Sequence, residues 1–99
     1  MSVQAYILIQ TEVGKASSVA TAVSAISGVT LAEGVTGPYD VIMRAEAPSM
    51  EDFGRMILSK VQGVPGITRT LTCPVTYYFS KTPFVRRSAV LINSSIMLS

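Results

Sequence analysis

Five residues of this chain combine types and spacing suited to holding a small charged molecule: Gly37, Tyr39 and Asp40 in one turn, and Thr70 and Thr72, two apart along a strand. Gly37 lets the backbone approach a ligand closely, and a turn leaves amide N–H groups free to donate to a carboxylate. Pro38 carries no amide hydrogen, so those donors must come from Gly37, Tyr39 or residues beyond the turn. Asp40 can accept from an ammonium group, and the two threonine hydroxyls can donate or accept. A zwitterionic amino acid needs this mixture of donors, acceptors and charge. Each residue also has a plainer role open to it. Asp40 can cap its own turn, Tyr39 can be a packing residue, and strands favour threonine for its β propensity.

Other chemistries find less support. The chain has no histidine and one cysteine, which excludes His/Cys metal sites and Cys-His or Ser-His nucleophilic pairs within one subunit. Cys73 stands in an apolar strand and is expected to be inert core. Glu51 and Asp52 open a helix, where its dipole accounts for them. Ser17, Ser18, Ser24 and Ser27 read as solvated surface. The glycines form no phosphate-binding loop, and Met43, Met50 and Met56 read as core or interface filler. No metal, no cofactor and no catalytic group are expected.

The elements that must position the five residues follow from periodicity. Val3, Ala5, Ile7 and Ile9 alternate with Gln4, Tyr6, Leu8 and Gln10 as a strand. Ala16, Val19, Ala20, Val23 and Ile26 fall at helical spacing between Lys15 and Ile26, and Gly28 supplies the stop. Val29, Leu31, Glu33 and Val35 alternate as a second strand. Thr36 to Asp40 is a turn punctuated by Gly and Pro. Val41, Met43 and Ala45 line one face of a third strand, with Ile42, Arg44 and Glu46 on the other. Ser49 caps a second helix whose apolar stripe is Phe53, Met56, Ile57, Val61 and Val64. Ile67, Leu71, Cys73 and Val75 then alternate with threonines in a fourth strand that runs to about Phe79. Pro74 lacks a donor and places that strand at a sheet edge. The order βαββαβ with right-handed crossovers predicts an α+β, ferredoxin-like plait, a four-stranded antiparallel sheet with two helices on one face. Tyr6, Leu8 and Ile42 would then lie on the uncovered face.

Two stretches resemble a known family. Thr36-Gly37-Pro38-Tyr39-Asp40-Val41-Ile42-Met43 is similar to the Thr-Gly-x-(Tyr/Phe)-Asp turn and apolar strand of the C-terminal effector domain of Lrp/AsnC regulators, often called the RAM domain. Val64-Pro65-Gly66-Ile67-Thr68-Arg69-Thr70-Leu71-Thr72 is similar to that family's Pro-Gly-Val segment leading to paired threonines. The resemblance covers about residues 3–79, in order and in spacing. It implies a regulatory domain that binds a small molecule, with an amino acid as the expected ligand of Gly37, Tyr39, Asp40, Thr70 and Thr72. It also implies a ring of dimers as a plausible assembly, and a full-length Lrp/AsnC-type regulator as a possible partner. Full regulators carry an N-terminal winged helix-turn-helix. This chain begins at its first strand and reads as a stand-alone effector domain.

Composition bounds the partners. In these 99 residues 48% are hydrophobic and 14% charged, and the mean hydropathy is +0.45. A domain of this size has too little interior for so much apolar surface, so a homo-oligomer, at least a dimer, is expected. No apolar run reaches the roughly 18 to 20 residues of a spanning helix, so no membrane contact is expected. With no signal peptide legible at the N-terminus and a lone cysteine, a cytoplasmic location is expected. Residues 1–79 carry five basic and six acidic residues, a net −1, and Lys81, Arg86 and Arg87 bring the total to +2. That body lacks the basic footprint of a nucleic-acid binder, and no direct DNA binding is expected. Residues 80–99, basic and then apolar, form a tail that the resemblance does not reach. Two other classes stay open: a purely structural oligomerisation module, and a small cofactor-independent oxygenase built on a dimeric plait.

Overall fold

The computed structural model describes residues 2–76. The tail expected over 80–99, and the end of the last strand expected near Phe79, lie outside the described residues. The elements follow in the order β1 (Val3–Thr11), α1 (Ala16–Ser24), β2 (Val29–Gly34), β3 (Val41–Ala47), α2 (residues 50–62) and β4 (Ile67–Pro74). All strand pairs are antiparallel, in the order β2-β3-β1-β4. This is the ferredoxin-like α+β plait, and β4 with its Pro74 is an edge strand, as the missing donor requires.

The core lies between the sheet and the helices. Ala5, Ile7 and Ile9 of β1 and Val41, Met43, Ala45 and Ala47 of β3 bury their alternate side chains there. Val19 and Val23 of α1 and Phe53, Ile57 and Val61 of α2 close it from above. Ser49 caps α2, its Oγ accepting from the Asp52 amide at 3.1 Å. The helix is α-helical over Met50–Asp52, π-helical over Phe53–Leu58 and α-helical again over Ser59–Gln62. The wider π turn keeps Phe53, Ile57 and Val61, spaced by four, over the core. It carries Met56, expected in the stripe, out to solvent, and Met50 is exposed as well, whereas Met43 is core.

Both edge strands depart from simple alternation. In β4, Ile67 stands opposite Thr11 and Arg69 opposite Gln10, so Thr68 is an extra residue. In β2, Val29 stands opposite Ala45 and Leu31 opposite Arg44, so Thr30 is extra, and its Oγ1 donates to the Arg44 carbonyl at 3.2 Å. One extra residue sends every later side chain of that strand to the opposite face. Ile67 and Val29 therefore pack on the core, while Leu71 and Leu31, expected to share their faces, lie on the open side of the sheet. Cys73 is corrected in the same way: expected as inert core, it is exposed.

Gly28 fixes the start of β2. Its φ is +98°, and its carbonyl accepts from the Glu46 amide at 2.9 Å. A Cβ there would sit 2.9 Å from the Glu46 carbonyl oxygen and 3.1 Å from Ile57 Cδ1. Gly37, also at positive φ, has nothing within 4 Å of such a Cβ. Gly28→Ala is therefore expected to lose about 3 kcal/mol through strain and clash together, and Gly37→Ala about 1 kcal/mol through strain alone. Urea denaturation of the two variants checks the order. Equal losses would contradict it.

Candidate functional site

The turn between β2 and β3 is held by Asp40 on three sides. Its backbone N–H donates to the Ile9 carbonyl at 2.8 Å, and its carbonyl accepts from the Val35 amide at 2.9 Å. Its carboxylate Oδ2 accepts from the Thr11 amide at 2.8 Å and from the Thr11 hydroxyl at 3.3 Å. The end of β1 is thus bound to the start of β3 by a charge-assisted pair of bonds. Gln10 Nε2 adds a bond to the Pro38 carbonyl at 2.9 Å. Asp40 does act as a cap, but of a distant strand end and not of its own turn. Among the described residues no hydrogen bond engages Oδ1, and a carboxylate has acceptor capacity left on it. Tyr39 and Asp40 are half-buried and Gly37 is exposed, with free space where a side chain would stand.

Thr70 and Thr72 lie elsewhere. They face the helix side of β4, opposite Ile9 and Ile7, and are half-buried. No polar side chain among the described residues is fully buried, so the two hydroxyls form a half-exposed shelf beside the core. β1 runs between this shelf and β3, and no hydrogen bond among the described residues joins the threonines to the turn. Within one chain the five residues fall into two separate groups.

Two further features were not legible in the sequence. A cleft of about 370 Å³ is lined by Glu12, Lys15, Ser18, Ala22 and the Val64-Pro65-Gly66 turn. It forms because the Glu12 amide donates to the Gly66 carbonyl at 2.8 Å, a long-range bond with no local signature. On the open face, Arg44 Nη2 donates to Gln4 Oε1 and its guanidinium carbon lies 5.6 Å from the Tyr6 ring centre. The alternation of β3 placed Arg44 on this face, but only the strand register brings it to Tyr6. Among the described residues no group of three or more His, Cys, Asp or Glu could hold a metal ion, and no helix is long and apolar enough to cross a membrane.

A family model described as the Lrp/AsnC ligand binding domain matches residues 4–85. The chain belongs to that family of ligand-binding domains. Among solved structures, FFRP-DM1 is 33% identical, with 74% of this chain and 97% of that one covered and a TM-score of 0.69. AsnC of E. coli is 22% identical, with 81% of this chain and 55% of that one covered and a TM-score of 0.73. The transcriptional regulator NMB0573 of Neisseria meningitidis, solved as a complex with L-Met, is 20% identical, with 82% of this chain and 54% of that one covered and a TM-score of 0.70. The last two likenesses carry the fold. No curated protein matches the chain.

The Asp40–Thr11 bonds have a measurable weight. Asp40→Ala strands the half-buried Thr11 amide and is expected to lower unfolding free energy by about 1.5 kcal/mol. Thr11→Val keeps the amide bond and should lose only about 0.5 kcal/mol. Chemical denaturation compares them, and a Thr11→Val loss as large as that of Asp40→Ala would contradict the assignment.

Proposed function

We propose that this domain senses an amino acid at a site completed between subunits, and that binding is passed on as a change in assembly. The observation that carries the reading is the division of the binding groups. Asp40 Oδ1, the turn amides and the space at Gly37 stand at one place, and the Thr70–Thr72 shelf stands at another, across β1. A neighbouring subunit that brings its shelf to this turn unites an ammonium acceptor with neutral hydroxyls and carboxylate donors. Membership of a ligand-binding family supports a small-molecule ligand, and the L-Met complex of NMB0573 supports an amino acid as its class. A ligand that prefers one assembly state stabilises it by mass action. The output is modulation of an Lrp/AsnC-type transcription regulator, in a complex where this domain has no catalytic task and contacts no DNA itself.

The open sheet face supports assembly. Tyr6, Leu31 and Leu71 are 39%, 40% and 44% exposed there, beside Leu8 and Ile42. A contiguous apolar patch of this kind on a small domain favours burial against another subunit. The alternative of a purely structural module draws on one observation: Thr11 already engages the Asp40 carboxylate.

Calorimetry with the common amino acids separates the two. One charge-assisted contact with a few neutral ones gives an expected affinity in the micromolar to millimolar range. Asp40→Asn keeps an oxygen for Thr11 but removes the charge, so the fold should persist while affinity falls roughly ten- to a hundredfold. Heat with no amino acid would favour the structural module, and unchanged affinity in Asp40→Asn would move the site elsewhere.

A further inference from the structure

The cleft between the β1–α1 turn and the turn before β4 includes none of the five residues considered so far, and the backbone fixes its walls. The Glu12 amide donates to the Gly66 carbonyl at 2.8 Å, and the Lys15 amide closes a tight turn on the Glu12 carbonyl at 3.0 Å. Gly66 stands at φ +97°, and a Cβ on it would lie 3.1 Å from Lys15 Cβ and 3.3 Å from Lys15 Cγ. The Lys15 stem therefore rests on bare backbone, which sets this side chain in the cleft wall. Glu12 lines the same cleft, yet the two do not form an ion pair with each other. Ser18 donates its hydroxyl to the Lys15 carbonyl at 3.1 Å, so its oxygen can still accept. Ala22, Val64 and Pro65 give the cleft an apolar wall.

We propose that this cleft is a second binding site, and that it takes a dipeptide with free termini and an apolar side chain. The inference goes beyond the amino-acid reading of the Asp40 turn and does not depend on it. Glu12 receives the ammonium end, Lys15 receives the carboxylate end, and the side chain lies on Ala22, Val64 and Pro65. Two unlike charges that are not joined to each other suit a ligand that carries both, whereas a simple anion or cation is repelled by one of them. The volume of about 370 Å³ falls within the roughly 300 to 1,000 Å³ of small-molecule sites, and gives room for more than one residue. An extended residue spans about 3.3 to 3.6 Å, so a dipeptide holds its two charges apart, as the walls do. Glu12 and Lys15 are both exposed, which makes each contact weak in water and the expected affinity roughly millimolar.

The test is calorimetry on the full chain with alanyl-leucine, leucine and N-acetyl-alanyl-leucine. The dipeptide should bind wild type, and Lys15→Gln and Glu12→Gln should each weaken it roughly three- to tenfold. Ser18→Trp, at an exposed helix position, fills the cleft and should abolish binding. The acetylated peptide lacks the ammonium group and should bind wild type more weakly than the free one, and no more weakly to Glu12→Gln than to wild type. Asp40→Asn separates the two sites: dipeptide affinity should be unchanged in it. That pattern upholds the proposal. No heat with the dipeptide, or equal affinity in wild type, Lys15→Gln and Ser18→Trp, overturns it. A dipeptide weakened by Asp40→Asn and not by Lys15→Gln belongs to the Asp40 turn, which overturns the cleft while leaving that turn's reading in place. Leucine weakened by Lys15→Gln and Glu12→Gln as strongly as the dipeptide overturns the choice of ligand.

Discussion

A pleated strand shows alternate side chains to opposite faces, and in this domain the two edge strands each break that rule once. Thr30 in β2 and Thr68 in β4 are the extra residues. Had the alternation run on, Leu31 would follow Val29 into the core, and Leu71 and Cys73 would follow Ile67. The bulges instead turn Leu31 of β2 and Leu71 of β4 to the open face, where they join the central pair Leu8 and Ile42. The same shift in β4 turns Thr70 and Thr72 to the helix side, where they are half-buried. One backbone irregularity in β4 thus puts Leu71 and Cys73 on the open face and the two threonines on the other.

Asp40 links the fold to the proposed site. Its three backbone and side-chain attachments tie β1, the end of β2 and the start of β3 together. A turn fixed in this way is pre-organised, so little ordering entropy remains to be lost when a ligand arrives. Because Thr11 engages Oδ2 and no hydrogen bond among the described residues engages Oδ1, the fold and the proposed binding role need not compete for the same oxygen.

Much of this was legible in the sequence where a local pattern maps onto one face. The alternation of Val3 to Gln10 and of Val41 to Glu46 predicted which β1 and β3 residues are core, and the spacing of Val19, Val23, Phe53, Ile57 and Val61 predicted the covering stripe. Pro74 predicted an edge strand. Legibility failed where a non-local partner decides the outcome. Val29-Thr30-Leu31 and Ile67-Thr68-Arg69 carry no glycine or proline to announce a bulge, and each bulge shows only in the register against its neighbour. The π-helical turn that expels Met56 has no local signal either. For the candidate site, the turn Gly37 to Asp40 was readable, but Thr11 as the partner of Asp40 was not. Nor could residue spacing reveal that β1 separates the turn from Thr70 and Thr72.

That separation is the point on which the functional account turns, and it can be tested by mixing subunits. Asp40→Asn and Thr72→Ala chains, carrying different affinity tags, are produced separately and together, and their amino-acid binding is measured by calorimetry. If the turn of one subunit and the shelf of its neighbour make one site, each variant alone is impaired at every site. A random co-assembly then regains wild-type affinity at about a quarter of its sites, those that combine an intact turn with an intact shelf. Co-assembled protein with no sites of wild-type affinity would contradict the shared site and return the Asp40 turn to a purely structural role.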